Sequence, residues 1–286
     1  MKKLLALILI LASLMSLAVI PAVAEEGEWA TPAGCGIIDV DAEDILFEDA
    51  EEEEDYFCPE GLEKASEKII GKDNRVKISN CNKFPYTTMA RMRFYLPCCG
   101  GWYVGTGTMV SKTKLLTAAH CLYCQKHRTW ASKCEFWFGY NSRKGTSYYK
   151  YTGRYWQWVT KGYTGGDSSY DYGVVVFPTS VGSKTGYMKP LWQKANSYYT
   201  SKTLYVAGYP GGRNLSYCKG KVKIEDANHI KYQMDTEGGQ SGGPVYNSSY
   251  QIVAIHHSAS VYQDWNHAHR LSKRVKTLYT QAKYNP

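Results

Sequence analysis

The sequence predicts an all-β fold of two antiparallel β-barrels followed by a single C-terminal α-helix. From residue 68 onward, short strand-like segments are separated by Gly, Asn, Ser and Lys. The chain contains 25 Tyr and 8 Trp among its 286 residues, and both residue types are enriched in strands. Only the end of the chain has a helical pattern. Many short strands closed by one helix are typical of paired barrels.

The predicted elements divide into an N-terminal barrel over residues 68–180 and a C-terminal barrel with the terminal helix over residues 181–286. The helix is predicted from Leu271, Val275 and Leu278, which lie at i, i+4 and i+7 and therefore share one face. Residues 148–158 are rich in Tyr and Trp and are predicted to form a hairpin. The clearest strand patterns are 89–96, 115–118, 135–138, 172–177, 203–207 and 252–255.

Residues 1–24 have the organisation of a secretory signal peptide. Lys2 and Lys3 form a positive n-region, residues 4–20 are mostly apolar, and residues 22–24 (Ala-Val-Ala) form a cleavage site. A membrane anchor is the alternative interpretation. No other stretch of the sequence approaches the roughly 18 unbroken apolar residues that a membrane span requires. The sequence therefore predicts a secreted, extracellular protein without a membrane span.

Residues 25–67 form an acidic segment that precedes a basic domain. The segment contains 17 of the 26 Asp and Glu residues and one base, for a net charge of −16. Residues 68–286 carry the other 9 acids and 31 Lys and Arg, for a net charge of +22. Acidic runs usually indicate a solvated tail. From its position we predict a pro-segment that docks on the basic domain and acts as an intramolecular inhibitor, with a passive spacer as the alternative.

Nine cysteines in a secreted chain predict disulfide bonds, although their spacing does not determine the pairing. Cys35 and Cys58 lie in the predicted pro-segment, which leaves seven for the mature domain. Cys121, Cys124 and His127 have a spacing that zinc ligands can show. For a secreted, cysteine-rich chain we favour disulfides and predict no metal site. Residues 214–216 and 247–249 are N-glycosylation sequons.

Two motifs carry the functional prediction. Ser241 lies within residues 239–244 (Gly-Gln-Ser-Gly-Gly-Pro), where the glycines expose Oγ and allow backbone N–H groups to approach a developing oxyanion. A serine hydroxyl becomes a good nucleophile only when a positioned base removes its proton. His120, within residues 117–121 (Thr-Ala-Ala-His-Cys), is the candidate base.

A carboxylate is expected to orient this base. Asp171 directly precedes a strand-like apolar run, where a buried acid would be costly unless it were paired. A hydrogen bond to His120 would pair it, fix the imidazole tautomer and stabilise the imidazolium. Asp167 is the alternative, but the neighbouring glycines at 165 and 166 indicate an exposed turn. We therefore predict a triad of His120, Asp171 and Ser241.

These motifs resemble those of the chymotrypsin-like serine proteases, in the same order along the chain. Further strings are similar to the glutamyl endopeptidases, which are secreted, mostly microbial members of that group and cleave after acidic residues. The resemblance extends from residue 69 to the terminal helix. The strings that carry it are residues 70–75, 84–86, 170–173, 208–211 and 235–241.

The resemblance implies that Thr236 and His256 bind the carboxylate of the substrate side chain. A hydroxyl and an imidazole supply the hydrogen-bond donors that such a carboxylate needs, and a protonated imidazole adds a charge-assisted bond. The alternative is that His256 is an ordinary strand residue. His257 should point to the opposite side of the strand and lie outside the pocket.

The sequence departs from the family pattern around the nucleophile. Asp235 occupies the position at which trypsin-type enzymes bind Lys or Arg, so specificity for these residues is the alternative to cleavage after Glu or Asp. Glu237 would repel an acidic substrate if it faced the pocket. Gln240 replaces the Asp that captures the new N-terminus in trypsin-type zymogens. We therefore expect activation by removal of the pro-segment, with a cut after Glu67 or Lys68.

A fourth departure concerns Cys121. Family members often bridge this cysteine to one fifteen residues before the histidine, where this chain has Gly105. We expect Cys98 or Cys99 to replace the missing partner. This expectation follows from the resemblance and leaves the other pairings open.

The predicted reaction is hydrolysis of peptide bonds through an acyl-enzyme, with the N–H groups of Gly239 and Ser241 forming the oxyanion hole. No cofactor is expected. The expected partners are polypeptide substrates and the protein's own pro-segment, with no nucleic acid, and a monomer is expected. The main alternative from another class is a catalytically silent, basic binding protein on the same fold. A lipase-type hydrolase is less favoured because Ser241 lacks a Gly-x-Ser-x-Gly elbow.

Overall fold

A computed structural model describes residues 30–41, 45–48, 68–192, 194–260 and 262–285. The predicted signal peptide lies outside the described residues, as do the acidic run at 51–55 and Glu67. Within the described residues, the helices are too short and too polar to cross a membrane.

The described elements are mainly short strands. The strands are β1 (Pro32–Ile38), β2 (Ile45–Glu48), β3 (Val76–Lys77), β4 (Met89–Leu96), β5 (Gly101–Met109), β6 (Lys114–Thr117), β7 (Tyr123–Cys124), β8 (Thr129–Trp130), β9 (Lys133–Phe138), β10 (Tyr149–Tyr151), β11 (Tyr155–Thr160), β12 (Gly173–Val176), β13 (Leu204–Gly208), β14 (Ser216–Gly220), β15 (Val222–Ile224), β16 (His229–Tyr232), β17 (Pro244–Tyr246), β18 (Ile252–Ala259) and β19 (Asn266–Arg270). The helices are α1 (Lys161–Thr164), α2 (Val181–Thr185), α3 (Asn196–Ser201) and α4 (Lys273–Gln281).

The strands form two large sheets. The N-terminal sheet has the order β10-β9-β4-β5-β6-β12-β11-β1-β2, and the C-terminal sheet has the order β15-β16-β19-β18-β17-β13-β14-β3. A small ribbon joins β7 and β8. All strand pairs within the sheets are antiparallel except β1 with β11. The predicted all-β, two-barrel fold is confirmed.

The strand β4 shows how the sequence pattern produces this fold. Met92, Phe94 and Leu96 alternate with partly exposed residues and are buried in the core of the N-terminal sheet. This period of two directs every second side chain inward. The predicted strand at 89–96 matches β4, and the terminal helix forms as α4 with Val275 and Leu278 buried.

The predicted hairpin at 148–158 is wrong. Both halves are strands, but β10 pairs with β9 at one edge of the N-terminal sheet, whereas β11 pairs with β12 and β1. An alternating pattern of side chains predicts a strand, but it does not identify the strand with which it pairs. Trp158 on β11 is fully buried and its Nε1 donates to Lys283 O at 2.9 Å, so long-range packing selects the position of this strand.

Two strands of the predicted pro-segment extend the N-terminal sheet. β1 pairs with β11, and β2 pairs with β1. A Cβ atom at Gly34 would lie 2.6 Å from the ring of Trp156, and one at Gly36 would lie 2.3 Å from the ring of Trp158. Only glycine allows the two indole rings to lie against this strand.

Acidic side chains after β1 contact bases and a tyrosine of the domain. Asp39 pairs with Lys161 at 3.1 Å, and Asp41 pairs with Arg274 at 2.8 Å. The hydroxyl of Tyr170 donates to Asp41 at 2.7 Å. The described part of the acidic segment is therefore bound to the basic domain by strand pairing and by complementary charge.

Candidate active site

The histidine and the aspartate of the predicted triad meet at the end of the N-terminal sheet. His120 lies in a one-turn 3-10 helix (Ala119–Cys121) after β6, and Asp171 lies just before β12, the neighbour of β6. Nδ1–H of His120 donates to Asp171 Oδ2 at 2.7 Å, and the backbone N–H of His120 donates to Oδ1 at 2.9 Å. Because a carboxylate accepts from Nδ1–H, Nε2 of His120 is the atom that can accept a proton.

The electrostatics of this pair favour the charged imidazole. Burial alone lowers the pKa of His120, but the carboxylate of Asp171 outweighs burial and holds that pKa well above 6.5. Burial likewise raises the pKa of Asp171, but the charge and the hydrogen bonds of His120 hold it below its usual range. Burial, together with the neighbouring histidines, keeps the pKa values of His257 and His269 well below 6.5. These two nearby rings are therefore neutral.

Asp167, the alternative acid, has a different role. Its carboxylate accepts a hydrogen bond from Ser169 N at 2.8 Å and so caps the 3-10 turn Ser168–Tyr170. The side chain is exposed, as the flanking glycines predicted.

Ser241 lies in a tight turn before β17 that the N-terminal sheet holds in place. The backbone N–H of Thr106 on β5 donates to Ser241 O at 2.7 Å. The hydroxyl of Thr106 donates to Gly239 O at 2.7 Å and accepts from Tyr209 N at 3.1 Å. Gly242 has φ +82°, and a Cβ there would lie 2.2 Å from Thr106 O. The sequence analysis did not identify Thr106, since no local signal links it to a motif 135 residues away.

The turn of Ser241 also contacts the turn of His120. The thiol of Cys121 lies 3.9 Å from Ser241 O. A Cβ atom at Gly105 would lie 2.5 Å from Cys121 Sγ and 3.4 Å from Ser241 O. The histidine and the serine motifs, which are 121 residues apart in the sequence, therefore meet where the two sheets face each other.

Two carbonyl hydrogen bonds fix the direction of the N–H groups on either side of Gln240. Gly238 O accepts from Gly211 N at 2.6 Å, and Gln240 O accepts from Gly243 N at 2.8 Å. In a trans peptide the N–H points opposite to the carbonyl of the same unit. The N–H groups of Gly239 and Ser241 are therefore directed away from these partners, as an oxyanion hole requires.

Thr236 and His256 flank the turn of Ser241 and are both fully buried. His256 N donates to Gly243 O at 2.9 Å, and His256 O accepts from Gly242 N at 2.7 Å. Within the described part of the chain, Oγ1 of Thr236 makes no hydrogen bond.

The ring of His256 is fixed by contacts that the sequence did not reveal. Nδ1 lies 2.8 Å from the hydroxyl of Tyr232 and 3.0 Å from His267 O. Since a carbonyl oxygen can only accept, Nδ1 carries a proton. The ring of His257 instead stacks on His269, with centroids 4.1 Å apart, so the two neighbouring imidazoles have different surroundings, as expected.

Asp235 binds the backbone of the segment that follows the predicted pro-segment. Its two carboxylate oxygens accept from Ile70 N and from Asn74 N, each at 2.7 Å, and the side chain is fully buried. Lys68 O accepts from Thr236 N at 3.2 Å. Both oxygens of Asp235 are therefore engaged by main-chain donors.

Glu237 is neutralised by two arginines. Arg75 lies 2.8 Å from one carboxylate oxygen, and Arg213 lies 3.2 Å from the other. The side-chain oxygen of Gln240 accepts from Glu237 N at 3.1 Å. The negative charge of Glu237 is therefore balanced by these arginines.

The predicted disulfide bonds are not observed among the described cysteines. Sγ of Cys99 lies 3.5 Å from Cys98 Sγ and 3.8 Å from Cys124 Sγ, too far for a bond of about 2.05 Å. The expected pairing of Cys98 or Cys99 with Cys121 is wrong, because these two residues lie beside Cys124. The thiols of Cys81, Cys98, Cys121, Cys124, Cys134 and Cys218 form no disulfide within the described residues.

Comparisons with known proteins find related proteases. A glutamyl endopeptidase of Bacillus licheniformis is 28% identical over 220 residues, which cover 72% of this chain and 66% of the relative. An extracellular metalloprotease of Bacillus subtilis strain 168 is 33% identical over 198 residues, covering 66% of this chain and 61% of the relative. The chain thus spans slightly less than two thirds of the length of these relatives.

A solved structure of a Glu endopeptidase, bound to MPD, has a TM-score of 0.65 and 27% identity, covering 76% of this chain and 100% of that one. Residues 105–255 match the family model described as the trypsin-like peptidase domain. These findings confirm the predicted resemblance to the chymotrypsin-like serine proteases. Because the match spans more than half of the sequence, this chain belongs to the family of trypsin-like peptidase domains and has the chymotrypsin-like fold.

Proposed function

We propose that this protein is a secreted serine endopeptidase, made as a precursor, that hydrolyses peptide bonds after Glu or Asp. The observation that carries the proposal is the His120–Asp171 pair, which lies against the turn that presents Ser241. A positioned base, its orienting carboxylate and a serine in a glycine turn are the parts that acyl transfer requires.

In the proposed mechanism, Ser241 Oγ attacks the peptide carbonyl while Nε2 of His120 accepts its proton. Asp171 holds the ring through Nδ1 and stabilises the imidazolium. The N–H groups of Gly239 and Ser241 bind the oxyanion of the tetrahedral intermediate. His120 then donates its proton to the leaving amine and activates the water that hydrolyses the acyl-enzyme.

The specificity proposal rests on the groups beside the serine turn. Thr236 offers a hydroxyl, and His256 offers an imidazole whose Nδ1 is held by Tyr232 and His267. The Thr236 hydroxyl can donate to a substrate carboxylate, and because Nδ1 of His256 is already engaged, Nε2 can donate only when the ring carries a second proton, which makes that bond charge-assisted. The trypsin-like alternative is less favoured, since both oxygens of Asp235 already bind main-chain N–H groups.

The precursor proposal rests on the acidic segment. Its described strands pair with the N-terminal sheet, and Asp39 and Asp41 form ion pairs with the basic domain. Removal of residues 25–67 would release these contacts. Extracellular location is supported by the signal-like residues 1–24 and by the name of the Bacillus subtilis relative.

Cleavage-site profiling of a denatured protein mixture tests the proposal. The purified secreted protein should cut mainly after Glu and Asp, and the Ser241→Ala variant, prepared in the same way, should not cut. Clustering of cuts after Lys or Arg would overturn the acidic specificity and favour Asp235. Absence of any cut would favour the silent binding protein.

A matched pair of variants tests the pocket. Thr236→Val removes a donor to the substrate carboxylate, and His256→Gln removes the positive charge that a protonated imidazole would supply; a hydrogen bond to a charged group typically contributes about 1.5–3 kcal/mol. We expect kcat/KM for a Glu substrate to fall roughly 10- to 100-fold in each. His257→Gln, whose ring lies elsewhere, is the control and should retain the parent preference.

A further inference from the structure

A cluster of three cysteines and one histidine lies close to the predicted base and has no role in the proposed mechanism. Cys98 and Cys99 lie in the one-turn 3-10 helix that follows β4. Cys124 lies on β7, and His127 lies in the turn between β7 and β8. The three sulfur atoms and one nitrogen of His127 all lie within 4.8 Å of one another.

The distances within this cluster match a tetrahedral zinc site. Zinc binds cysteine sulfur at about 2.3 Å and histidine nitrogen at about 2.0–2.1 Å, so a tetrahedron has edges of roughly 3.8 Å between sulfurs and 3.6 Å between sulfur and nitrogen. Cys99 Sγ lies 3.5 Å from Cys98 Sγ and 3.8 Å from Cys124 Sγ. His127 Nδ1 lies 3.3 Å from Cys124 Sγ and 3.8 Å from Cys99 Sγ.

We propose that Cys98, Cys99, Cys124 and His127 bind a structural Zn²⁺ ion. Binding converts the three thiols to thiolates, whose protons pass to solvent, while the imidazole binds through Nδ1 in its neutral form. Four protein ligands close the coordination sphere and leave no position for water or substrate. The site is therefore structural and separate from the serine chemistry.

The sequence spacing alone pointed to a different ligand set. It placed Cys121 with Cys124 and His127, but the thiol of Cys121 lies against Ser241 O. The fold instead brings Cys98 and Cys99, 25 and more residues upstream, to the ribbon of β7 and β8. The prediction of no metal site considered only Cys121, Cys124 and His127 as ligands, and so left out Cys98 and Cys99.

The position of the site indicates its purpose. Cys124 follows His120 by four residues, and Gly105 leaves Cys121 without a cysteine opposite it on β5. The metal would join the segment after His120 to the end of β4. It would thus hold the turn of the base by coordination rather than by a disulfide.

Metal content tests the proposal. The full chain carrying Ser241→Ala, purified without chelator, should contain zinc, and one equivalent should be lost in Cys124→Ser and in His127→Gln. Cys81→Ser removes a buried thiol outside the cluster and should retain that equivalent. His269→Gln is a second control, because His229, His257 and His269 form another group of potential ligands. His269→Gln should also keep the one equivalent of zinc that is lost in Cys124→Ser.

Cobalt substitution adds a readout that does not depend on the folding of any variant. Co²⁺ bound at this site should show thiolate-to-metal charge-transfer absorption, which three imidazoles alone cannot produce. Absence of that absorption, or zinc that persists in both Cys124→Ser and His127→Gln, would overturn the proposal. A disulfide among Cys98, Cys99 and Cys124 in the secreted protein, found by mass spectrometry, would also overturn it. Since the parent chain lacks the nucleophile, none of these results depends on protease activity.

Discussion

The two parts of the candidate site, one at the end of each sheet, are held in place by different physical means. In the N-terminal sheet, His120 is fixed by a charged partner, Asp171, which accepts from both its ring and its backbone. In the C-terminal sheet, Ser241 is fixed by neutral backbone hydrogen bonds and by glycines whose Cβ atoms would clash. The proposed base therefore depends on charge and pH, whereas the proposed nucleophile depends on shape.

This difference predicts two kinds of effect of substitutions on activity. Loss of the carboxylate at Asp171 changes the ionisation of His120, so its effect should vary with pH. Loss of a neutral hydrogen bond near Ser241 should lower activity by the same factor at every pH. The pH profile, more than the rate at one pH, therefore distinguishes loss of the charged partner of His120 from loss of a neutral hydrogen bond near Ser241.

The largest expected effect is that of Asp171→Asn. We expect kcat/KM to fall by about 10⁴-fold at neutral pH, since the amide no longer fixes the tautomer or stabilises the imidazolium. In the parent, activity should fall as the pH drops through the raised pKa of His120, above 6.5, because the base must be neutral. Without the carboxylate, burial dominates and this transition should move to lower pH. A pH–rate series checks both, and an unchanged transition would contradict the proposed pairing.

An intermediate effect is expected from Thr106→Val. The substitution preserves shape but removes the hydroxyl that bonds Gly239 O and Tyr209 N, which typically costs about 1–3 kcal/mol per unsatisfied buried group. We expect kcat/KM to fall roughly 10- to 100-fold with the pH transition in place.

A neighbouring threonine provides the matched control for this change. Thr108 lies on the same strand, is buried, and its hydroxyl makes no hydrogen bond within the described residues. Thr108→Val should therefore leave activity near the parent value. Equal losses in both variants would show that Thr106 acts through general packing.

The smallest expected effect on catalysis is that of Gly36→Ala in the precursor. The new Cβ would lie 2.3 Å from the ring of Trp158, and overpacking of this kind typically costs about 1–3 kcal/mol. Hydrogen exchange at the amides of β11 should become faster, because pairing with β1 is weakened. Gly101→Ala, whose Cβ would meet atoms no closer than 3.6 Å, is the control. Unchanged exchange in Gly36→Ala would show that β1 does not depend on this contact.

Much of the candidate site could be predicted from local patterns. The glycines around Ser241, the apolar segment before His120 and the acid before β12 are all short-range signals, and the structure places His120 Nδ1 2.7 Å from Asp171 Oδ2. Thr106 and Tyr232 could not be found in this way. They act through hydrogen bonds to residues far away in the sequence, and nothing in their own neighbourhood indicates those partners.

The sequence by itself determined the strand-rich character, the terminal helix, the two motifs and the charge contrast between residues 25–67 and 68–286. These are properties of composition and of periods of a few residues. Tertiary structure alone decided which strands pair, and for that reason β10 and β11 have different partners and do not form a hairpin. It also decided that Asp235 binds the backbone of residues 70 and 74 and that Cys98 and Cys99 join Cys124 and His127. Such contacts depend on which distant surfaces bury each other, and that information is not contained in any short stretch of the chain.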